Sequence, residues 1–317
     1  MRWLVAVVAL AMPLATLAQA YPNKPIRWIL GYPPGGGTEF IARTVANTLS
    51  AQLGQPIVIE NRPGAAAIVG AEAAARSAPD GYTLFMADNG TFVYHLGIYK
   101  KLPYDPNKDF IPVGLISRGY MLLLTGPSGP KSVKELVAMA KSQPGKLNNA
   151  SNGSGTAHHL AAELLKQRAG IDVVNIPFKG TAAVMSEIMA ERVSMGFADI
   201  SAARGALNGG KVRALAAAAP QRLAALPDVP TFAEVGYPDL EVYFWQGIAV
   251  PAGTPPEIVS KLSTELFKTM NTPDVQKRLT DVGMEVLPTT SDQMAQLIRK
   301  DQQFWVPLIK KLGISVD

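Results

Sequence analysis

The sequence contains no cysteine, and this absence excludes disulfide bonds, thiolate nucleophiles, iron–sulfur clusters and zinc sites built on cysteine. Histidine is almost as scarce, since His95, His158 and His159 are the only histidines among 317 residues. Neighbouring residues of a helix point about 100° apart, so His158 and His159 cannot hold one metal ion from a single helical face. The sequence therefore predicts no metal centre.

Charged residues are also few, at 17% of the chain, and the formal net charge is +5. The basic residues are scattered along the sequence, whereas nucleic-acid-binding proteins concentrate basic charge in a stripe or patch. Hydrophobic residues make up 48%, which excludes a disordered chain. We expect a folded protein that binds no nucleic acid.

The N-terminus has the three parts of a secretory signal peptide. A positive charge stands at Arg2, Leu4–Leu17 is almost entirely apolar, and Ala18–Gln19–Ala20 fits the A-x-A cleavage pattern. The apolar run is too short to span a bilayer comfortably, although an uncleaved anchor is the alternative interpretation. We expect residues 1–20 to be removed after Ala20. The exported protein should use no cofactor, because ATP and NAD are cytoplasmic.

Predicted strands and helices alternate along the rest of the chain. An apolar extended segment, Pro25–Tyr32, is followed by a glycine-rich turn and by a helix over 38–53, for which Thr38 is the expected N-cap. The same order recurs further on, and it is typical of parallel sheets covered by helices, that is, of an α/β fold.

Two extended segments, near residues 115–125 and 242–250, join two such cycles. The chain should therefore form two lobes that are connected by at least two crossings. The predicted division is a signal peptide (1–20), a first lobe (21–121 plus 246–317) and a second lobe (122–245).

Three turns share one design, in which a strand leads through small polar residues and glycines into a helix. They lie at Gly31–Glu39, Ser151–Thr156 and Phe178–Thr181. In a parallel sheet such turns lie at the carboxyl edge, where open α/β folds bind ligands. Helix N-termini there offer unpaired N–H groups and positive dipole ends, which suit a small anion. Each turn alone could be a simple connection, but together they favour an anion-binding cleft.

Ser154, beside His158 and His159, is the best candidate for enzymatic chemistry. It does not fit the G-x-S-x-G pattern, both histidines lie on the predicted helix after the turn, and no acid partner is indicated. Gly35–Gly37 lacks the last glycine of the dinucleotide-binding fingerprint, because Phe40 occupies that place. We predict a protein without enzymatic activity, and an exported hydrolase that uses Ser154 and His158 is the alternative.

Two further residues have two interpretations each. Asp199 ends an apolar strand and either caps the following helix or faces the cleft. Trp245 lies in a crossing segment and is either a core residue or a wall of the pocket.

Short fragments of the mature chain carry a family resemblance. They are Tyr21–Ile26, Tyr32–Thr38, Glu60–Ala65, Pro79–Leu84, Leu102–Pro106, Gly155–Ala161, Pro177–Gly180, Trp245–Gly247 and Pro251–Pro255. In this order and spacing, the chain resembles the periplasmic substrate-binding proteins of tripartite tricarboxylate transporters, the Bug family, over essentially all of residues 21–317.

This resemblance implies the type II-like periplasmic-binding-protein fold, with two lobes joined by a hinge and a mainly parallel sheet flanked by helices in each lobe. It implies a small carboxylate as ligand: a di- or tricarboxylate, an acidic amino acid or an aromatic acid. It also implies a periplasmic location and the membrane subunits of such a transporter as partners. We expect a monomer. A ligand sensor that docks on a membrane receptor is a further alternative.

The resemblance also assigns the site. Backbone amides of Gly35–Thr38 and bridging waters should hold the ligand carboxylate, Ser154–Thr156 should complete the clamp, and Asp199 and Asn89–Thr91 should border the pocket. The predicted ligand-binding residues are Tyr32, Gly35, Gly36, Gly37, Thr38, Glu39, Asn89, Thr91, Ser154, Gly155, Thr156, His158, Lys179, Gly180 and Asp199.

The sequence departs from the family pattern at two places. Glu39 stands where the family usually has Asp, and its extra methylene should either displace the waters of the site or reach another partner. Leu96–Tyr99 replaces a segment that often contains Asn-Pro, which changes the rim of the pocket.

Overall fold

The computed structural model describes residues 21–153 and 155–315. The predicted signal peptide and Ser154 lie outside the described residues. The strands are β1 (Ile26–Leu30), β2 (Ile57–Asn61), β3 (Thr83–Asp88), β4 (Phe110–Thr125), β5 (Asn148–Ser151), β6 (Val174–Pro177), β7 (Met195–Asp199), β8 (Arg213–Ala217), β9 (Tyr243–Pro251) and β10 (Glu285–Val286). The helices are α1 (Gly37–Leu53), α2 (Ile68–Ala75), α3 (His95–Ile98), α4 (Val133–Ser142), α5 (Ala157–Ala169), α6 (Thr181–Met189), α7 (Ile200–Asn208), α8 (Pro256–Met270), α9 (Pro273–Asp281) and α10 (Ser291–Lys311).

The strands form one ten-stranded sheet in the order β2-β1-β3-β9-β4-β7-β5-β6, with β8 and β10 also paired to β4. Its outer parts are parallel: β1 lies between β2 and β3, and β5 lies between β6 and β7. The central strands β9 and β4 are antiparallel to each other and to their other neighbours. The predicted α/β fold is therefore confirmed, and two parallel groups of strands are joined through a central antiparallel pair.

Strand β4 belongs to both parts of the sheet. Its residues from Phe110 to Tyr120 pair with β9, whereas Met121–Leu124 pair with β7. The extended segment expected near residues 115–125 is thus part of one longer continuous strand. This strand and β9 are the crossing segments that the sequence predicts.

Helices cover the sheet with the apolar faces that the sequence indicates. In α1, the buried side chains include Ile41, Val45, Leu49 and Leu53, which recur at helical spacing. They pack in one cluster with residues of β1, β3, α8 and α9. A second cluster lies around Phe85, Trp245 and Trp305, and a third fills the part of the molecule that contains β7 and α7.

Thr38 is not the N-cap of α1, so that expectation is wrong. The helix begins one residue earlier, with Gly36 as its N-cap and no side-chain cap bond. The Thr38 hydroxyl instead accepts a hydrogen bond from Gln246 Nε2 at 2.8 Å, a partner 208 residues away in sequence. The Thr38 side chain, which local propensity would place at the helix cap, therefore makes a long-range contact instead.

The chain is helical directly after β3. One π-helical turn over Gly90–Tyr94 leads directly into α3. The Asp88 carboxylate starts this turn, because it accepts hydrogen bonds from the Thr91 backbone N–H at 2.7 Å and from the Thr91 hydroxyl at 2.9 Å. Within residues 21–153 and 155–315, no helix is both long and apolar enough to cross a membrane.

Strand β9 is fastened to α10 through the buried carboxyl group of Asp301. Asp301 accepts hydrogen bonds from the Tyr243 hydroxyl at 2.6 Å and from the Trp245 indole N–H at 2.8 Å. Burial raises the pKa of this carboxyl group, and both hydrogen bonds oppose the rise. Trp245 is fully buried, so its interpretation as a core residue is confirmed.

We predict that Trp245→Phe lowers the free energy of unfolding by about 1–3 kcal/mol more than Trp28→Phe does, because it removes a hydrogen bond to a buried carboxyl group. Trp28 is the matched control, since it is equally buried and its indole N–H has no partner among the described residues. Urea unfolding of the two variants measures the difference. Equal losses would show that the bond to Asp301 contributes nothing to stability.

Candidate functional site

The registers of the sheet bring two sets of strand ends face to face. At the end of β3, Asp88 lies opposite Gln246 of β9, which lies opposite Ser117 of β4. At the end of β7, Asp199 lies opposite Met121 of β4. Strand β3 runs in the same direction as β4, and β7 runs against it. The carboxyl ends of both parallel groups therefore face each other across the stretch from Ser117 to Met121, which is roughly 14 Å at 3.4 Å per residue.

The predicted turns lie on these two facing edges. The glycine-rich loop follows β1, and Asn89 follows β3, on the edge of the first lobe. The turn that ends at Thr156 follows β5, the turn at Lys179 follows β6, and Asp199 ends β7, all on the edge of the second lobe. In open α/β folds such edges hold ligands. The structure thus brings every predicted turn to the cleft between the lobes.

The glycine-rich loop leads into α1, a helix of 17 residues. Gly35 has a φ of +81°, a backbone conformation that glycine adopts without strain. Gly35, Gly36 and Gly37 are exposed, so the backbone of the loop is accessible. The first N–H groups of a helix have no acceptor within the helix and carry the positive end of its dipole. This end of α1 is therefore suited to bind an anion.

Glu39 reaches back to its own loop. Its carboxylate accepts hydrogen bonds from the Gly35 backbone N–H at 2.6 Å and from Arg43 Nε at 2.7 Å. These bonds hold the pKa of Glu39 below its ordinary value. Of the two outcomes expected for the extra methylene, the structure shows the second, because the carboxylate finds a partner four residues earlier.

Tyr32 and Asp88 connect the loop to β3. The Tyr32 hydroxyl donates to Asp88 Oδ2 at 2.6 Å. Burial raises the pKa of the Asp88 carboxyl, against the effect of the hydrogen bonds from Tyr32 and Thr91. The side chains of Asn89 and Thr91 are also buried and have internal partners. Asn89 and Thr91 are therefore buried residues that stabilise the edge of the cleft through internal hydrogen bonds.

The turn after β5 packs against the first lobe. Gly155 has a φ of +75°, and a Cβ atom placed on it would lie 2.2 Å from the Cδ1 atom of Ile98 in α3. The Gly155 N–H donates to His159 Nδ1 at 3.0 Å, and Thr156 caps α5 by accepting from the His159 N–H. The two lobes therefore touch where this turn meets α3.

His158 is buried beside this turn, and its Nε2 atom has no hydrogen-bond partner among the described residues. Burial lowers the pKa of His158 to about 4, although the charge of Asp199 acts in the opposite direction. The imidazole is therefore neutral at pH 7. It can donate or accept one hydrogen bond without introducing a positive charge into the cleft.

Asp199 caps α7 by accepting from the Ala202 N–H at 3.2 Å, and it also accepts from the Ser201 hydroxyl. The capping interpretation is thus confirmed, while a contact with ligand stays a prediction. Lys179 is exposed, and Gly180, with a φ of +87°, is the N-cap of α6.

Three cleft residues are missing from the set predicted from sequence. Gln246 lies beneath Thr38, and Ser151 and Asn152 end and follow β5. Gln246 Oε1, Ser151 Oγ and Asn152 Oδ1 are buried without a hydrogen-bond partner in the described part of the chain. A signal for Gln246 was present, because it belongs to the fragment Trp245–Gly247, but sequence reasoning assigned a possible role there to Trp245 alone.

No group of three or more histidine, aspartate or glutamate side chains within residues 21–153 and 155–315 could hold a metal ion. Besides the charged side chains of Glu39, Lys179 and Asp199, the polar groups of the cleft are backbone amides, hydroxyls, carboxamides and one neutral imidazole. Such groups recognise a small polar ligand through hydrogen bonds.

We predict that Gly155→Ala lowers the free energy of unfolding by at least about 1 kcal/mol more than Gly170→Ala does, since it adds a steric clash to the backbone strain. Gly170, at the end of α5, is the matched control: it has a φ of +60°, but a Cβ atom there would meet nothing within 4 Å. Urea denaturation of both variants tests this. A similar cost for the two would mean that Ile98 moves away freely and that the contact between the lobes is loose.

Comparisons with known proteins agree with the geometry. The profile of the tripartite tricarboxylate transporter family receptor, TctC, matches residues 41–314. Protein BugT of Bordetella pertussis is 32% identical over 314 residues, covering 98% of this chain and 96% of its own. A solved structure of MatC from Rhodopseudomonas palustris with bound malate has a TM-score of 0.83 and 33% identity, covering 91% of this chain and 100% of its own.

A second protein from R. palustris, Rpa4515, was solved with adipate. It has a TM-score of 0.86 and 30% identity, and the match covers 92% of this chain and 98% of that one. Fold, chain length and sequence thus agree over nearly the whole of the described protein. The chain belongs to the tripartite tricarboxylate transporter receptor family, the Bug proteins, and has the two-lobed fold of periplasmic solute-binding proteins.

Proposed function

We propose that this protein captures a small carboxylate between its lobes and delivers it to the membrane subunits of a tripartite tricarboxylate-type transporter. The observation that carries the proposal is the exposed glycine-rich loop at the N-terminus of α1, on an edge that faces the second lobe. The two R. palustris relatives solved with malate and adipate support a carboxylate as the ligand.

Backbone amides neutralise the carboxylate in this proposal. The N–H groups of Gly36–Thr38 point along the axis of α1, where the helix dipole is positive. The first turns of α5 and α6, which begin after Thr156 and Gly180, add two further helix N-termini from the second lobe. The negative charge of Glu39 does not oppose the ligand strongly, because Arg43 and the Gly35 N–H already bind it.

In this proposal the lobes are residues 21–121 plus 246–317 and residues 122–245, and β4 and β9 form the hinge between them. Besides the contact of Gly155 with Ile98, Arg204 of the second lobe donates to the Asp281 carbonyl of the first. These contacts join the two lobes in the described conformation.

The remaining parts of the proposal concern the cell. Residues 1–20 act as a signal peptide that is cleaved after Ala20, and the mature protein works in the periplasm as a monomer. It releases its ligand chemically unchanged and binds no nucleic acid. The alternatives of a hydrolase and of a receptor-bound sensor find no support in the matched relatives.

Gly36→Val tests the role of the loop. Gly36 has a φ of −90° and a ψ of 174°, which valine adopts readily, and the nearest atom to an added Cβ is the Pro33 carbonyl oxygen at 3.9 Å. The substitution therefore introduces no backbone strain. The variant should fold normally, but its side chain fills the space in front of the loop amides.

We expect malate, succinate or adipate to stabilise the wild-type protein in a thermal-shift assay, by roughly 2.7 kcal/mol at 100 times the dissociation constant. Gly36→Val should lose this stabilisation. Ala51→Val, an exposed position near the other end of α1, should keep it. Wild-type affinity in folded Gly36→Val would show that the loop does not hold the carboxylate.

Lys179→Ala tests whether a basic side chain is the counter-ion. Lys179 is exposed, and helix N-termini supply the positive potential in the proposed site. The substitution should therefore weaken binding by less than about 1.4 kcal/mol, which is less than tenfold. Titration calorimetry measures the change. A loss above a hundredfold would identify Lys179 as the direct partner of the carboxylate.

A further inference from the structure

Two carboxamides occupy matching positions in the two lobes. Gln246 donates from Nε2 to the Thr38 hydroxyl at 2.8 Å, and Asn152 donates from Nδ2 to the Thr181 hydroxyl at 3.2 Å. Thr38 lies in the first turn of α1, and Thr181 is the first residue of α6. In both lobes, then, a carboxamide is held at the helix N-terminus that faces the cleft.

Each carboxamide keeps one end unused. Gln246 is 6% exposed, and its Oε1 atom is buried without a partner among the described residues, as is Asn152 Oδ1. A threonine hydroxyl can accept or donate, so the free end of each amide can present either an oxygen or an NH₂ group. Buried polar atoms in folded proteins normally have hydrogen-bond partners, so two such atoms at one cleft indicate a missing ligand.

A serine accompanies each carboxamide. Ser117 lies directly opposite Gln246 in the register of β4 and β9, and residues so paired have side chains on the same face of the sheet. Ser151 immediately precedes Asn152 at the end of β5. The hydroxyl oxygens of both serines are fully buried and also lack a partner within residues 21–153 and 155–315. The four groups lie on the two facing edges of the cleft.

These groups match a hydroxyl better than other ligand groups. The amides of Gly36–Thr38 can only donate and so suit a carboxylate, whereas carboxamides and serine hydroxyls both donate and accept, as a hydroxyl does. A buried ammonium group would need a negative partner, and none of these four groups carries a negative charge. An aromatic or purely aliphatic chain would leave all four groups unpaired.

We propose that Gln246 and Asn152, with Ser117 and Ser151 beside them, are specificity residues that bind a hydroxyl on the carbon chain of the ligand. The preferred substrate class is then a hydroxylated carboxylate rather than an unsubstituted aliphatic or aromatic acid. This inference rests on the proposed function, because it concerns the same cleft and assumes that a carboxylate occupies it.

Malate and succinate provide the test, since they differ by one hydroxyl. Titration calorimetry should show that the wild-type protein binds malate at least about tenfold more tightly than succinate, because a site built to bind a hydroxyl rejects the analogue that lacks it. Gln246→Leu should weaken malate binding at least about tenfold and change succinate binding much less. Asn152→Ala, in the other lobe, should reduce the same preference independently of any folding defect caused by Gln246→Leu.

Gln302→Leu is the matched control. It removes a carboxamide of α10 that donates to the Phe92 carbonyl at 2.8 Å and to Asn107 at 3.0 Å, so both affinities should stay at their wild-type values. Equal binding of malate and succinate by the wild-type protein would overturn this inference and leave the proposed function standing. An unchanged preference in both folded cleft variants would overturn it as well. Absence of binding to malate, succinate, adipate, citrate, glutamate and benzoate alike would overturn the proposed function, and this inference with it.

Discussion

The pairing of the long strand β4 with different strands along its two halves is the constraint on which the rest of the structure depends. Strand β4 is 16 residues long and pairs with β9 over one part and with β7 over the other. Strand β7 runs opposite to β4, whereas β3 runs in the same direction as β4. The carboxyl ends of the two groups of parallel strands are therefore directed at each other. Every loop that follows a parallel strand then faces the opposite lobe, and the cleft is a consequence of strand register.

In the proposed function, the cleft binds its ligand mainly through uncharged groups. Its helix N-termini provide positive potential, and its ionisable side chains are either bonded to the backbone, as Asp199 and Glu39 are, or neutral, as His158 is. A site of this kind avoids the cost of burying an unpaired charge when the ligand leaves. We propose Gln246 and Asn152 as the side chains that decide which acid is bound.

Side-chain contacts fasten β4 and β9 to neighbouring elements of the first lobe. Asp301 holds Tyr243 and Trp245 of β9 against α10, and the guanidinium group of Arg118 lies 5.3 and 5.4 Å from the ring centres of Tyr120 and Tyr243 while it pairs with Glu285. Tyr120 and Tyr243 are also the last pair of residues in the register between β4 and β9.

The sequence by itself determined the α/β class, the positions of nearly all helices and strands, and the loops that carry the site, because strand and helix periodicity and glycine-rich turns are local properties. The tertiary structure alone decided which of these loops face each other and which side chains remain free in the cleft. Thr38 shows the difference: local propensity predicts an N-cap, but a hydrogen bond from Gln246 in β9 takes its hydroxyl. Gln246 belongs to the fragment Trp245–Gly247, but its contact with Thr38 depends on a strand register that sequence patterns do not specify.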